Sequence, residues 1–215
     1  MLYLDHVIWT GNDIEGISEK YGSEFAVKSV KGGEHDSWGT YNYLTFFSNS
    51  CYMEWLGIND VERAENLDHP LIQHLVYTLN KEHQGPFQFA LRTDKLDDYL
   101  EHFNKNNIPY KGPFHGQRKK PNGQLLSWRM LFPSYDFTKD ETLPFLIEWD
   151  QSESERFEVS LINNQAITGL HFGGISKERF QEIYSLPTKK IRSPKLLRNV
   201  KMHFHDEPCL SIDIA

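Results

Sequence analysis

Two short runs, Tyr52-Met53-Glu54-Trp55 and Leu146-Ile147-Glu148-Trp149, each end an apolar stretch with a carboxylate followed by an indole. Side chains alternate faces along a strand. Tyr52, Glu54 and Leu56 therefore share one face, with Met53 and Trp55 on the other, while Glu148 shares its face with Leu146. A carboxylate inside an apolar strand is costly unless it is paired, protonated or bound to a cation. Two of them at matching ends of similar stretches point to an internal repeat.

Working outward from the first run, Leu4–Trp9 reads as a short buried strand. Asp13–Tyr21 reads as a helix with Ile14, Ile17 and Tyr21 on one face and Gly22 at its end. Phe25–Lys31 is a strand and Gly32-Gly33 a turn. Ser37–Phe47 and Cys51–Ile58 are two more strands joined by Ser48-Asn49-Ser50. Around the second run the order recurs: a strand at Phe87–Thr93, a helix at Asp94–Asn104, a short strand at Ile108–Lys111, a turn at Pro121-Asn122-Gly123, then strands at Leu125–Phe132 and Leu143–Trp149. Pro70–Lys81 reads as a connecting helix with Leu71, His74, Leu75 and Leu79 at helical spacing. A shorter third unit follows, with strands at Ile167–Gly173, Val200–Phe204 and Leu210–Ile214 and a helix at Lys177–Leu186 capped by Ser176.

The expected class is α+β. Two βαβββ modules, residues 1–58 and 86–150, form curled mixed sheets around a cleft, with residues 59–85 connecting them and residues 166–215 a partial βαββ unit. Asn59–His69 and Asp150–Gln165 are polar linkers, and Ser134–Thr142 is a candidate flap over the cleft.

Bulk properties narrow the function. Hydrophobic residues make up 39% and charged residues 25% of 215, the balance of a water-soluble globular chain. Aromatics at 13% suit strands and a ring-lined cavity. A net charge of −7 argues against nucleic acid as the main partner. The basic stretch Lys189, Lys190, Arg192, Lys195, Arg198 and Lys201 lacks interleaved aromatics and reads as a solvated loop. Cys51 and Cys209 open apolar runs and read as buried free thiols. No leader and no membrane-length apolar run is visible, so a cytoplasmic protein with no membrane partner is expected.

Candidate chemistry starts with His6, a strand histidine in the module that ends in Glu54. Imidazole with carboxylate is a common divalent-metal pairing. Gln88 occupies the corresponding strand of the second module, in a register uncertain by one residue. Arg118 and Arg129 are anion clamps or structural partners of Glu54 and Glu148, with Trp128 beside them. Asn42 shares a face with Thr40. His35 reads as a surface-loop residue. His171 reads as packed or dimer-facing. His203 and His205 read as a solvated strand edge, or else as a metal pair.

The chain resembles the glyoxalase-like domain branch of the vicinal oxygen chelate superfamily. The likeness rests on Leu4-Asp5-His6-Val7, on residues Gly32 to Asn42, and on Tyr52-Met53-Glu54-Trp55. In module two it rests on Gly116-Gln117-Arg118, Pro121-Asn122-Gly123, Leu126-Ser127-Trp128-Arg129 and Leu143 to Trp149. The resemblance implies metal ligands on the first and last strand of each module, which here are His6, Glu54, Gln88 and Glu148. It implies a divalent ion (Zn, Ni, Mn or Fe) that chelates substrate oxygens, with Glu148 and Glu54 as catalytic carboxylates and Glu148 abstracting a proton. Arg118, Arg129, Trp128 and Asn42 would bind a small oxygenated metabolite, and a homodimer is compatible. Two functions stay open: a metal-dependent lyase or isomerase of glyoxalase type, and a metal-free binder that sequesters a small molecule.

Overall fold

β1 (Tyr3–Thr10) opens the chain, and α1 (Ile14–Phe25), β2 (Val30–His35), β3 (Thr40–Phe46) and β4 (Tyr52–Ile58) follow it. The computed structural model describes residues 2–120, 123–187 and 195–215. α2 (Val61–Asn66) and α3 (Pro70–Asn80) lead to β5 (Gly85–Arg92), α4 (Leu96–Lys105), β6 (Tyr110–Lys119), β7 (Leu125–Pro133) and β8 (Phe145–Trp149). The chain ends with α5 (Glu153–Arg156), β9 (Ile167–Gly173), α6 (Lys177–Ile183), β10 (Lys201–His205) and β11 (Leu210–Ile214). The class is α+β, as read from the order of the elements.

The first eight strands form one curled sheet in the order β2-β3-β4-β1-β5-β8-β7-β6. β1 runs parallel to β4 and antiparallel to β5, so this central pair joins the two βαβββ halves edge to edge. The sheet has two apolar faces. Leu4, Val7, Met53, Trp55, Phe89, Leu91, Leu131 and Leu146 face α1, α4 and the third unit. Ile8, Leu56, Ala90, Trp128, Met130, Phe145 and Ile147 line the concave side, where α3 contributes Leu71, Ile72 and Leu75. Burying one such side chain stabilises the fold by about 1.5–3 kcal/mol, so both faces are needed to hold a sheet this wide. The third unit makes its own sheet, β10-β9-β11, docked on β5 by the ring contact Phe89–Phe172 at 5.0 Å.

Several boundaries differ from the pattern in the sequence. α1 continues through Gly22 to Phe25 and ends at Ala26 in the left-handed region (φ 53°). Tyr21 and Phe25, one turn apart, stack at 5.9 Å and extend the packed face that carries it on. Gly32-Gly33 is not the turn: both lie inside β2, and the reversal falls at 36–39, where the Trp38 and Gly39 amides donate to His35 O at 2.8 and 3.0 Å. Gly39 takes the positive φ of 67° that this reversal requires. β6 runs to Lys119 rather than stopping at Lys111. It is a polar edge strand with little apolar alternation to mark it in sequence.

Both polar linkers contain a short helix, α2 capped by Asp60 and α5 by a Ser152–Glu155 capping box. Cys51 is buried as expected, but Cys209 is exposed, because the polar Asp206–Pro208 bend ahead of it leaves β11 at the surface. Pro121 and Asn122 of the expected turn, and Lys189, Lys190 and Arg192 of the basic stretch, lie outside the described residues. Among the described residues no helix is long and apolar enough to cross a membrane.

Candidate functional site

A β-bulge between Leu4 and His6 sets the centre of the site. Neighbouring strand residues ordinarily point to opposite faces, but here the register shift lets Asp5 reach the ring of His6. Asp5 Oδ2 lies 3.0 Å from His6 Nδ1, and His6 Nε2 lies 3.4 Å from Glu54 Oε2. Tyr52 stacks on the imidazole at 4.6 Å and Phe145 meets it edge-on at 5.7 Å. The ring is thus held by two aromatic neighbours and at both nitrogens.

Asp5 is fully buried and holds several partners. Arg92 and Arg156 each place Nη1 3.3 Å from Oδ1, and Trp149 Nε1 donates to Oδ2 at 3.2 Å. Burial works to raise its pKa, but the His6 hydrogen bond and the charges of Arg156 and Arg92 outweigh it, holding the carboxyl well below the usual range. Glu54 is held on its other oxygen by Asn42, whose Nδ2 donates to Oε1 at 2.5 Å. Asn42 Oδ1 is buried without a partner. Nearby, His35 is buried and its Nδ1 lies 3.0 Å from Thr40 Oγ1. Burial lowers its pKa to about 4, with Arg118 adding to the fall against the opposing charge of Glu54.

Arg118 reaches this group from the far edge of the sheet. The curl brings β6 against β2, and a methyl group on Gly32 would collide with Asn42 Oδ1 and stand 2.8 Å from Arg118 Nη1. The glycine pair gives the guanidinium its room, which is what those residues do in place of turning the chain. Among the described residues Arg118 makes no hydrogen bond or ion pair. The cleft is walled by His6, His35, Tyr52, Glu54, Arg118 and Trp128, and its free volume is about 30 Å³. That is room for about two waters, so a ligand of metabolite size needs the walls to part.

The structure gathers His6, Glu54, Asn42, Arg118 and Trp128, and it places Gln88, Glu148 and Arg129 elsewhere. Gln88 Nε2 donates to Tyr135 Oη at 2.7 Å and to Leu143 O at 3.1 Å, while its Oε1 accepts from the Phe89 amide. All its polar groups are committed under the Ser134–Thr142 segment, which covers Gln88 and does not line the cleft. Glu148 lies on the opposite face of the sheet. It accepts from the Leu96 amide at the start of α4 (3.1 Å) and from Arg129 Nε (3.1 Å), and Arg129 also pairs with Asp97 at 3.0 Å.

The cause is register. Tyr52 pairs with His6 in the first half and Phe145 with Ala90 in the second, so Glu54 corresponds to Ile147 and His6 to Ala90. The two Glu-Trp pairs are one residue out of phase, and Trp149 rather than Glu148 faces the cleft. His35, expected in a surface loop, is a buried wall residue, because the real turn begins just after it. Asp5 and Tyr52 join the site as well, one on His6 Nδ1 and one against its ring. Asp5 was recognisable as a charge beside a strand histidine; the approach of Arg156 from α5 had no signal in the sequence.

His6 Nε2 and Glu54 Oε2 stand at a spacing that two ligands of one divalent ion can share. Ala90 and Ile147, at the matching positions of the other half, offer no donor. His6 and Glu54 are the two side chains that would hold an ion in the cleft, with the Arg118 cation on the same side.

The family described as "Glyoxalase-like domain" matches residues 4–186. No curated protein matches the chain. A hypothetical protein from Staphylococcus aureus superposes with a TM-score of 0.80 at 17% identity, covering 100% of this chain and 91% of that one. A variant of Streptomyces coelicolor methylmalonyl-CoA epimerase, in complex with 2-nitronate-propionyl-CoA, superposes with a TM-score of 0.52 at 16% identity, covering 72% of this chain and 99% of that one. A hypothetical protein from Bacillus halodurans gives 0.50 at 14% identity, with 70% and 96% covered. At these identities the likeness is one of fold.

Proposed function

The chain belongs to the glyoxalase-like domain family, and from that premise we propose that it binds a small oxygenated anion in the cleft between His6, Glu54 and Arg118. The observation that carries this reading is the guanidinium of Arg118, without a hydrogen bond or ion pair among the described residues, in a narrow, ring-walled cleft. A cation drawn partly out of water without a counter-ion is stabilised by an incoming carboxylate, and the planar fork of arginine suits that group. Trp128, Tyr52 and Trp38 supply the apolar walls that hold the rest of a small ligand.

Proton transfer is the chemistry the remaining groups offer. With Asp5 ionised, His6 donates its Nδ1 proton to Oδ2, which turns Nε2 toward Glu54. One proton is then shared between Nε2 and Oε2 and can be given to, or taken from, a carbon next to the ligand's carbonyl. Glu54 takes the role first expected of Glu148. The epimerase among the structural neighbours makes an isomerase-type exchange the activity to test first.

A second reading keeps the divalent ion, on the strength of the 3.4 Å spacing of His6 Nε2 and Glu54 Oε2. In that case the two residues hold the ion and it supplies Lewis-acid stabilisation of the ligand's oxygens. Calorimetric titration of tag-free protein with 2-oxo acids, 2-hydroxy acids and short acyl carboxylates separates the readings, together with metal analysis of the native chain and of His6→Ala. Binding of an acid weakened at least about tenfold in Arg118→Gln supports the anion site. An equal affinity in that variant, or no acid bound, overturns it. Near one equivalent of metal, lost in His6→Ala, establishes the second reading. Incorporation of deuterium from solvent at the ligand's α-carbon, abolished by Glu54→Gln, identifies the proton transfer.

A further inference from the structure

The third sheet turns a second group of chemically capable side chains to the surface, away from the cleft. Along β10, Met202 and Phe204 pack inward, so Lys201, His203 and His205 face out. His203 is the direct cross-strand partner of His171 on β9, and the two imidazoles stack at 4.7 Å with their planes 9° apart. On the other side β11 presents Asp213 opposite Gly169, whose missing side chain leaves the space into which the Asp213 carboxylate folds. His171 Nε2 lies 3.0 Å from Asp213 Oδ2, and His171 Nδ1 lies 2.9 Å from His205 Nε2.

We propose that His171, His203 and Asp213 form a surface site for a borderline divalent transition ion such as Zn²⁺ or Ni²⁺. Their donor atoms lie within 4.8 Å of one another, and small χ rotations of half-exposed rings bring such atoms to the shorter separations that one ion imposes. Two imidazoles and one carboxylate favour Zn²⁺, Ni²⁺ or Cu²⁺ over Mg²⁺ or Ca²⁺, which take oxygen ligands. His205 acts behind the ligands: accepting the Nδ1 proton of His171, it presents the Nε2 lone pair to the ion, the orienting role that outer partners play at such sites.

The consequence is structural. The three ligands sit on the three strands of a small sheet, so one ion would tie β10 and β11 to β9. This site is independent of the reading of the cleft, since it shares no residue with it.

The test titrates tag-free, chelator-stripped protein with ZnCl₂ or NiCl₂ alone, by calorimetry and by thermal unfolding. Wild type and His6→Ala should both bind an equivalent that His203→Gln and Asp213→Asn lose by at least about tenfold. At a hundredfold excess over Kd the midpoint of unfolding should rise by about 5–10 °C in wild type and stay put in those two variants. Circular dichroism of the metal-free variants checks that they fold, and His171→Gln provides a third reading of the same ligand set. Binding retained in all three variants, binding lost only in His6→Ala, or weak uptake without a defined stoichiometry each overturns the proposal.

Discussion

Lowering the pH from 7 to 5 should destabilise this protein strongly, and three buried histidines set the size of the effect. His35, His69 and His74 are each buried, and burial pulls each pKa from 6.5 to about 4. Asp68 opposes the fall at His69 while Lys111 deepens it, and His83 deepens it at His74. The unfolded chain takes up a proton at each ring below about pH 6.5, whereas the folded chain refuses it until about pH 4. Between those limits the unfolded state binds more protons, so stability is full above 6.5 and falls as the pH drops toward 4. Each ring then costs about 2 kcal/mol between pH 7 and pH 5, or about 6 kcal/mol together, against a total stability of about 5–15 kcal/mol. Guanidinium unfolding followed by tryptophan fluorescence at pH 7, 6 and 5 measures this directly. His69 sits against Trp38 at 4.8 Å and Phe114 at 4.8 Å with neither ring nitrogen bonded, so His69→Phe keeps the packing and should remove about a third of the loss. A midpoint that stays flat from pH 7 to 5, or an unchanged slope in His69→Phe, would refute the reasoning.

Other perturbations separate the site from its scaffold. Asp5→Asn leaves Arg92 and Arg156 without their shared anion, and should lower stability by about 3 kcal/mol in denaturant titrations at pH 7. Glu148→Gln removes the charge that Arg129 shares with Asp97 and leaves one amide oxygen where two carboxylate oxygens accept from Leu96 and Arg129. It should cost about 1–2 kcal/mol and leave acid binding unchanged, whereas a lost ligand affinity would return Glu148 to the cleft. Gly32→Ala should weaken acid binding while β2 stays paired, because the new methyl group displaces Asn42 and Arg118 together; calorimetry and circular dichroism on one sample check both halves of that statement.

The repeated βαβββ order was legible because each strand and helix carries its own apolar period, and the paired ends of β4 and β8 made the repeat visible. Phase was not. Glu54 and Glu148 each follow two apolar residues and precede a tryptophan, and that shared pattern does not say which face each will take. The deciding contacts are the Leu96 amide and Arg129 for Glu148, and Asn42 and His6 for Glu54, all distant along the chain. Gly32-Gly33 misled for a related reason. A glycine pair serves a tight turn and a close approach of another element equally well, and only the curl of the sheet, which brings Arg118 alongside, distinguishes them. Gln88 was legible as a buried polar strand residue, but its partners lie on Tyr135 and Leu143, in a segment without periodicity.

The mismatch between the halves gives the cleft a direction. Where one half places His6 and Glu54, its counterpart places Ala90 and Ile147. A pocket lined alike on both sides would accept an elongated guest head-first or tail-first with equal ease. This one offers proton-carrying groups at a single pole and hydrocarbon at the other, so a guest with unlike ends has one favourable way to lie. On the proposed reading, a carbon held there would meet His6 and Glu54 on one side and Ala90 and Ile147 on the other.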